Sequence, residues 1–563
     1  MPYDLKSFHL PHLGDRALHS VVSLLENNYS CRLFEPLLIK ETGAHLLRAH
    51  AFSEAPTFLP LHHVSRAPSA SAAKASLATL QGLVDQVDKL PVAPVPSVFD
   101  YANAYRQGQL TPTQMADRLV QQIEASNQGK KPLHAIIATM DQDIRRQARE
   151  SEKRLKAGKA LSVLEGVPVA VKDELDAIPY TTTAGTIIFG QDGSAEQDST
   201  VVARLRAAGA IIIGKANMHE IGIGVTGANV HYGHCRNPYD PDRYTGGSSS
   251  GSAAAVAAGL CPLAIGADGG GSIRIPAALC GMVGLKPTFG RVSKHGAFPL
   301  GWSVGHIGPI GATVDDVAIG YATMAGPDVL DAGSLQQPPP HLSDYLKTNL
   351  KGLKLGIFSP WFTHAAPEIV RHCQLAVEEL KALGATVVEI EIDELELQRV
   401  AHAIVISTEM LCSMQPEYEA DASRYAGDSR LALSIGRCFS STDYIRAQRM
   451  RTRAIQAYEQ LFQKVDVIVT PTTGILAPPI LAKNDDSCEA SLTTLTDLMR
   501  FAFVGNLTGL PALTVPVTPT ETGMPVGLQL MGAPWQEHTL LRVGRALEQK
   551  IRRSAPKVRF APF

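Results

Sequence analysis

The spacing of apolar residues changes repeatedly along the chain, from short continuous runs to intervals of three and four, and each change predicts a strand followed by a helix. Met115, Leu119 and Ile123 keep helical spacing behind Thr111-Pro112-Thr113-Gln114, a capping box with proline at the first helical position. A second helix is predicted from about Gln142 to Lys156, stopped by Gly158. The run GVPVAVKD at 166–173 reads as a short apolar strand. Ser199 is predicted to cap the helix VVARLRAA, Gly209 to end it, and AIII to enter a sheet. KLGIF (354–358), a helix through Leu375 to Leu383, and VVEIEI (387–392) repeat the alternation, and VDVIVT, ALTVPV and VGLQLM add strands. This order predicts an α/β fold: one large mixed β-sheet core flanked by helices on both faces.

The amino-terminal hundred residues read differently. Leu18, Val21, Val22 and Leu25 keep helical spacing, and Leu33, Phe34, Leu37, Leu38 and Ile39 form a second apolar patch around Pro36. They predict either a helix pair covering the body or an apolar cap at a tunnel mouth, touching a membrane or receiving an acyl chain. Ser65 to Leu90 is polar with a predicted helix, and PVAPVPS at 91–97 is a stiff connector. The expected organisation is an extension and linker over 1–97, the main domain over 98–550 and a tail over 551–563.

Composition narrows the class. The chain has 563 residues, 45% of them hydrophobic, which suffices for a large core. A formal net charge of −2 excludes the basic face that nucleic acid requires. Eight cysteines (31, 235, 261, 280, 373, 412, 438 and 488) form no tight framework, and Cys261 and Cys280 lie in apolar context, so a reducing compartment is expected. MPYDLKSFHLPHLG has no apolar core of a secretory signal, and the longest apolar run, Ala253 to Ala267, is interrupted by Gly259 and Pro262 and too short to span a bilayer. An intracellular protein is expected, cytoplasmic or peripheral on an internal membrane.

The chemistry concentrates between Tyr244 and Thr288. Two clusters, Gly246 to Ser252 and Gly269 to Ser272, are separated by a small-residue stretch that reads as one buried helix and one short strand. Three consecutive glycines at 269–271 let the main chain aim successive N–H groups at one point, and Ser272 places a hydroxyl directly beside them. Acyl transfer requires that pairing of nucleophile and oxyanion donors. No histidine stands near to serve as base. Lys172, at the end of the strand 166–173 and followed by Asp173 and Glu174, is the alternative, because burial disfavours an ammonium and leaves an amine that accepts a proton.

In these segments the sequence resembles the amidase signature family, most of all its plant-type fatty acid amide hydrolases. GVPVAVKD, DSTVVARLRAAGAIIIGKANMHEIG, RNPYDPDRYTGGSSSGSAAAVAAGLC and DGGGSIRIPAALCG carry the resemblance. It runs from about Ser97 to about Glu548, is dense between 160 and 300, and resumes at DVIVTPTTG, DLMRF and GLPALTVPV. By that resemblance Ser272 is the nucleophile, Lys172 the base and Ser248 the bridging serine, preceded by a cis peptide from Gly247. The amides of Gly269, Gly270, Gly271 and Ser272 would bind the oxyanion, with Gly247, Ser249, Asp268 and Arg274 in support. Ala267 stands where many family members have threonine, which removes any contact that a threonine hydroxyl makes there. The implied reaction cleaves fatty acid amides such as N-acylethanolamines to free acid and amine through an acyl-enzyme, with no cofactor and no metal. A homodimer is expected, with a catalytic domain over 98–550.

His402 to Met410, Phe439 to Tyr444 and Leu498 to Phe503 are the segments expected to touch the acyl chain. Alternatives within the same resemblance are a general short-chain amidase and the glutaminase component of a tRNA-dependent amidotransferase; a silent lipid-binding scaffold is the non-enzymatic one. Gly247-Ser248-Ser249-Ser250-Gly251 fits a nucleophile elbow but follows no hydrophobic strand. Gly209 to Ala216 approaches a P-loop with three isoleucines inside it, Gly222-x-Gly224-x-x-Gly227 lacks a leading strand, and Ser71-Ala-Ala-Lys74 lies in a polar segment. All four read as chance matches. His231, His234 and Cys235 have no second cluster to complete a metal site.

Overall fold

The computed structural model describes residues 3–8, 11–63, 93–481, 483 and 486–560. The helix expected within 65–90 and the Ser71–Lys74 motif lie outside the described residues. Strands follow one another as β1 (Leu13–Gly14), β2 (Ile136–Ala138), β3 (Pro168–Lys172), β4 (Ile211–Ala216), β5 (Arg236–Asn237), β6 (Asp240–Tyr244) and β7 (Leu263–Asp268). The second half adds β8 (Val283–Lys286), β9 (His306–Gly311), β10 (Lys354–Ile357), β11 (Thr386–Glu389), β12 (Val467–Pro471), β13 (Glu489–Ala490), β14 (Ala512–Pro516) and β15 (Gly527–Gly532).

Eleven of these make one sheet in the order β11-β10-β12-β15-β14-β8-β9-β7-β3-β4-β2. It is mixed: β3 runs parallel to β4 and β7, whereas β9 is antiparallel to both β7 and β8. Every residue of β3, β4, β7, β9, β12, β14 and β15 is buried, so both faces of the sheet are covered and the strands are predominantly apolar. Val169, Ala170 and Val171 pair with Leu263, Ala264 and Ile265. That parallel register carries the ends of β3 and β7, Lys172 and Asp268, to the same edge of the sheet, where α/β proteins place their sites.

Local signals are realised where they are self-contained. Thr111 and Gln114 bond each other's backbone in the predicted capping box of the helix Pro112–Ser126. The helix expected to begin near Gln142 spans Asp141–Lys156. Ser199 stands at the start of the helix Thr200–Ala207 but makes no side-chain cap, and its hydroxyl is buried without a partner; the expected cap is corrected accordingly.

The amino-terminal patches form the helices Asp15–Glu26 and Asn28–Glu41, with Pro36 inside the second. Leu18, Val22 and Leu25 are buried, and a two-pronged ion pair from Arg430 to Glu26 (2.9 and 2.6 Å) fastens the first helix to the helix Gly427–Gly436. β1 pairs antiparallel with β13. The segment after 551 also lies on the body, with the Phe560 amide donating to the Ala258 carbonyl at 2.7 Å.

Candidate active site

Lys172 ends β3 with its side chain 1% exposed, and its Nζ donates to the Ser248 hydroxyl at 2.9 Å and to the Ala267 carbonyl at 3.3 Å. A third partner was not anticipated as a site residue: Glu174 Oε2 lies 2.6 Å from the same amine and is itself buried. The amine is thus held between an acid, a serine and a carbonyl. Ser248 follows the Gly247–Ser248 bond, which is cis. Ser249 locks the neighbouring strand end, donating to the Ala267 carbonyl (3.1 Å) and accepting from the Ala267 amide (3.2 Å). The main chain of Ala267 makes these contacts, and no side-chain hydroxyl is needed there.

The glycine loop hangs between the end of β7 and the helix Arg274–Leu279. Asp268 organises it from below. Its carboxylate takes two bonds from the Arg274 guanidinium (3.0 Å each) and one from the Arg274 amide (3.4 Å), and one each from the Gly271 amide (2.7 Å), Asn506 (2.9 Å) and the Ile273 amide (3.1 Å). Burial alone would raise this carboxyl, but the Arg274 guanidinium and Lys286 outweigh it and hold it well below the usual carboxylate range. Gly271 has φ +120°, and a β-carbon there would lie 2.5 Å from Ile275 and 2.8 Å from Ala502, so glycine is required. Its amide is committed to Asp268, which corrects the expectation that all four loop amides face a substrate. Among the described residues those of Gly269, Gly270 and Ser272 donate to no protein acceptor.

His402 was expected to touch an acyl chain, and its ring also supports this loop. Its Nε2 sits 2.8 Å from the Gly269 carbonyl, and burial pushes the imidazole down to about 4, so it is a neutral donor at pH 7. No hydrogen bond joins Ser272 to Ser248; the contact that ties the two segments runs from the Ser249 amide to the Ser272 carbonyl, 3.1 Å.

Two cavities meet at this point and share Gly222, Ile406 and Met410 as a common wall. One, about 170 Å³, is lined by Lys172, Glu174, Ser248, Gly269, Phe298 and Trp302. The other, about 210 Å³, begins at Ser272 and Gly270 and is apolar. Of the expected chain-contacting segments, His402, Ala403, Ile406, Ser407 and Met410 line it, as do Phe439, Met499, Arg500 and Phe503. Tyr444 does not; it donates to Glu409. Leu38, from the apolar patch around Pro36, lines it too, and so do Ile223, Ile435 and Leu492, which had no sequence signal of their own. His231 pairs with Glu220 (2.6 Å), while His234 contacts the Ser487 carbonyl (3.1 Å); neither meets Cys235 in a ligand cluster.

The amidase family profile matches residues 116–541, and the chain belongs to the amidase signature family; it is an amidase-type hydrolase. Over 460 residues it is 44% identical to the fatty acid amide hydrolase of Arabidopsis thaliana, covering 80% of this chain and 75% of that protein. It is 43% identical to the fatty acid amide hydrolase of Oryza sativa subsp. japonica, over 80% of this chain and 75% of that one. The solved structure of the native peptide amidase from Stenotrophomonas maltophilia superposes with a TM-score of 0.70 at 29% identity, covering 82% of this chain and 98% of that chain.

Proposed function

We propose that this hydrolase cleaves fatty acid amides, N-acylethanolamines among them, to a free fatty acid and an amine. The observation that carries this reading is the apolar cavity that begins at Ser272 and reaches Leu38 of the amino-terminal helices. An extended acyl chain gains about 0.8 kcal/mol for each methylene it buries there. A glutamine side chain has no apolar tail with which to fill the cavity. The similarity to plant fatty acid amide hydrolases supports the same choice.

In the reaction, Lys172 as a neutral amine takes the Ser248 proton while Ser248 takes that of Ser272, whose oxygen forms the bond to the acyl carbon. Glu174, in contact with the amine, accepts the proton that must leave Lys172 beforehand. Charge develops on the carbonyl oxygen, and the free amides of Gly269, Gly270 and Ser272 receive it, each such donor being worth about 2.7–4 kcal/mol. The proton returns through Ser248 to the nitrogen, the C–N bond breaks, and water then hydrolyses the acyl-enzyme. The cavity on the Lys172 side receives the amine.

Membrane contact through the helix pair supplies such substrates. Leu24, Tyr29, Leu33 and Leu37 are 48%, 85%, 80% and 53% exposed there, unusual for apolar side chains. Among the described residues no helix is long and apolar enough to cross a membrane. The test is turnover of N-acylethanolamines against short primary amides, with Ser272→Ala as control and flotation on phospholipid vesicles alongside. Faster turnover of the short amides overturns the substrate assignment, and full activity in Ser272→Ala overturns the nucleophile.

A further inference from the structure

The first helix begins where β1 meets β13, and three side chains converge at that junction. Asp15 and His19 stand four residues apart on one face of the helix. Cys488, the residue before β13, approaches from a segment 473 positions away in the chain. Asp15 Oδ1 is 3.4 Å from Cys488 Sγ and 3.5 Å from His19 Nε2, and His19 Nε2 is 3.8 Å from the sulfur. Among the described residues no other three histidine, cysteine or acidic side chains come together in this way.

The triangle has the dimensions of a coordination face. A tetrahedral zinc ion holds sulfur at about 2.3 Å, nitrogen at about 2.0–2.1 Å and oxygen at about 2.0–2.2 Å, which places its ligand atoms about 3.4–3.6 Å from one another. The three observed separations fall within a few tenths of an ångström of those edges. The donor set is equally selective: a thiolate with an imidazole suits zinc and related ions, whereas magnesium and calcium demand oxygen. Access is open on one side, since the Asp15 and His19 side chains are 50% and 48% exposed while Cys488 is buried.

We propose that Asp15, His19 and Cys488 form a binding site for a zinc-type divalent cation, with water as the fourth ligand. Binding is a ligand exchange without redox change: the ion gains a sulfur bond, and the thiol proton passes to solvent. The site's place gives it a purpose. Leu13, Leu25 and Ala490 line an apolar cavity of about 280 Å³ under this junction, and it shares Leu38, Ile435 and Leu492 with the cavity that starts at Ser272. A metal there pins the helical cover onto the body.

The experiment is titration of chelator-treated full-length protein with cobalt(II), followed by absorption. The expected result is one equivalent bound with a thiolate-to-cobalt charge-transfer band and the visible spectrum of a tetrahedral ion, displaced by zinc. Cys488→Ser and His19→Gln should each remove the band, and zinc but not magnesium should raise the Tm of the unaltered protein. His19→Gln lies at the surface, and its circular dichroism verifies folding independently of Cys488. Absence of the band in the unaltered protein overturns the proposal, as does a band unchanged in a folded His19→Gln.

Discussion

The Nζ of Lys172 lies 2.6 Å from Glu174 Oε2 and 2.9 Å from Ser248 Oγ, so one buried amine links a carboxylate to a serine. If Glu174 accepts the proton that Lys172 must release, Glu174→Gln preserves the shape of the site and removes that acceptor. Its kcat on amides is expected to fall about 10²-fold, the low end of general acid–base effects, with KM little changed. Steady-state kinetics check this; an unchanged kcat would exclude the role.

In the proposed mechanism, Lys172→Ala removes the route by which a proton reaches the leaving nitrogen. Amide hydrolysis should drop by about 10²–10⁴-fold, and hydrolysis of the matched ester by much less, because an alkoxide leaves more readily than an amide anion. Equal losses on the two substrates would count against the assignment.

Ala403 lines the apolar cavity, and Ala403→Phe fills part of it. Displacing about three methylenes at about 0.8 kcal/mol each weakens long-chain substrates about fiftyfold. Short acyl amides should keep their kcat/KM. A uniform loss across chain lengths would show damage to the site instead of a blocked pocket.

His402, buried against the Gly269 carbonyl, protonates at about 4 in the folded chain and near 6.5 when unfolded. Between those values the unfolded chain binds a proton that the native one refuses. The stabilising contribution is therefore fully present above about pH 6.5 and declines as pH falls toward 4, by about 3 kcal/mol in all. Urea unfolding across that window should show a decline to which other buried histidines add, and His402→Asn, which retains a donor, should lessen it by about that amount.

Asp268 and Arg274 are both fully buried. Asp268→Asn leaves the guanidinium without its counter-charge and should cost about 3–5 kcal/mol, read as a lowered denaturation midpoint. Stability unchanged by this substitution would mean that the remaining neutral acceptors, Gln529, Asn506 and the Ala502 carbonyl, suffice for Arg274.

The capping box of Thr111 and Gln114 was legible because both of its bonds close within four residues. β3 and β4 were legible because a strand covered on both faces is mostly apolar, and each carries only one charged residue, Lys172 and Lys215, near its end. Ser199 misled for the converse reason: a good cap residue still needs its hydroxyl turned toward the first turn, and here packing leaves it unpartnered. Glu174 lies two residues beyond Lys172, yet nothing in the chain says that its carboxylate turns back onto the amine. His402 and Asn506 bond the glycine loop from 133 and 238 positions away, distances over which periodicity carries no information.

By itself the sequence determined the elements and their alternation, the apolar sheet and the residue types able to perform acyl transfer, since each of these depends on neighbours in the chain. Tertiary structure alone decided that the amine of Lys172 meets Ser248 and Glu174, that Gly271 spends its amide on Asp268, and that remote helices enclose an apolar cavity at Ser272. Those outcomes depend on ångström-scale distances between segments, which the register of the parallel strands and the packing of the helices settle only once the chain has closed on itself.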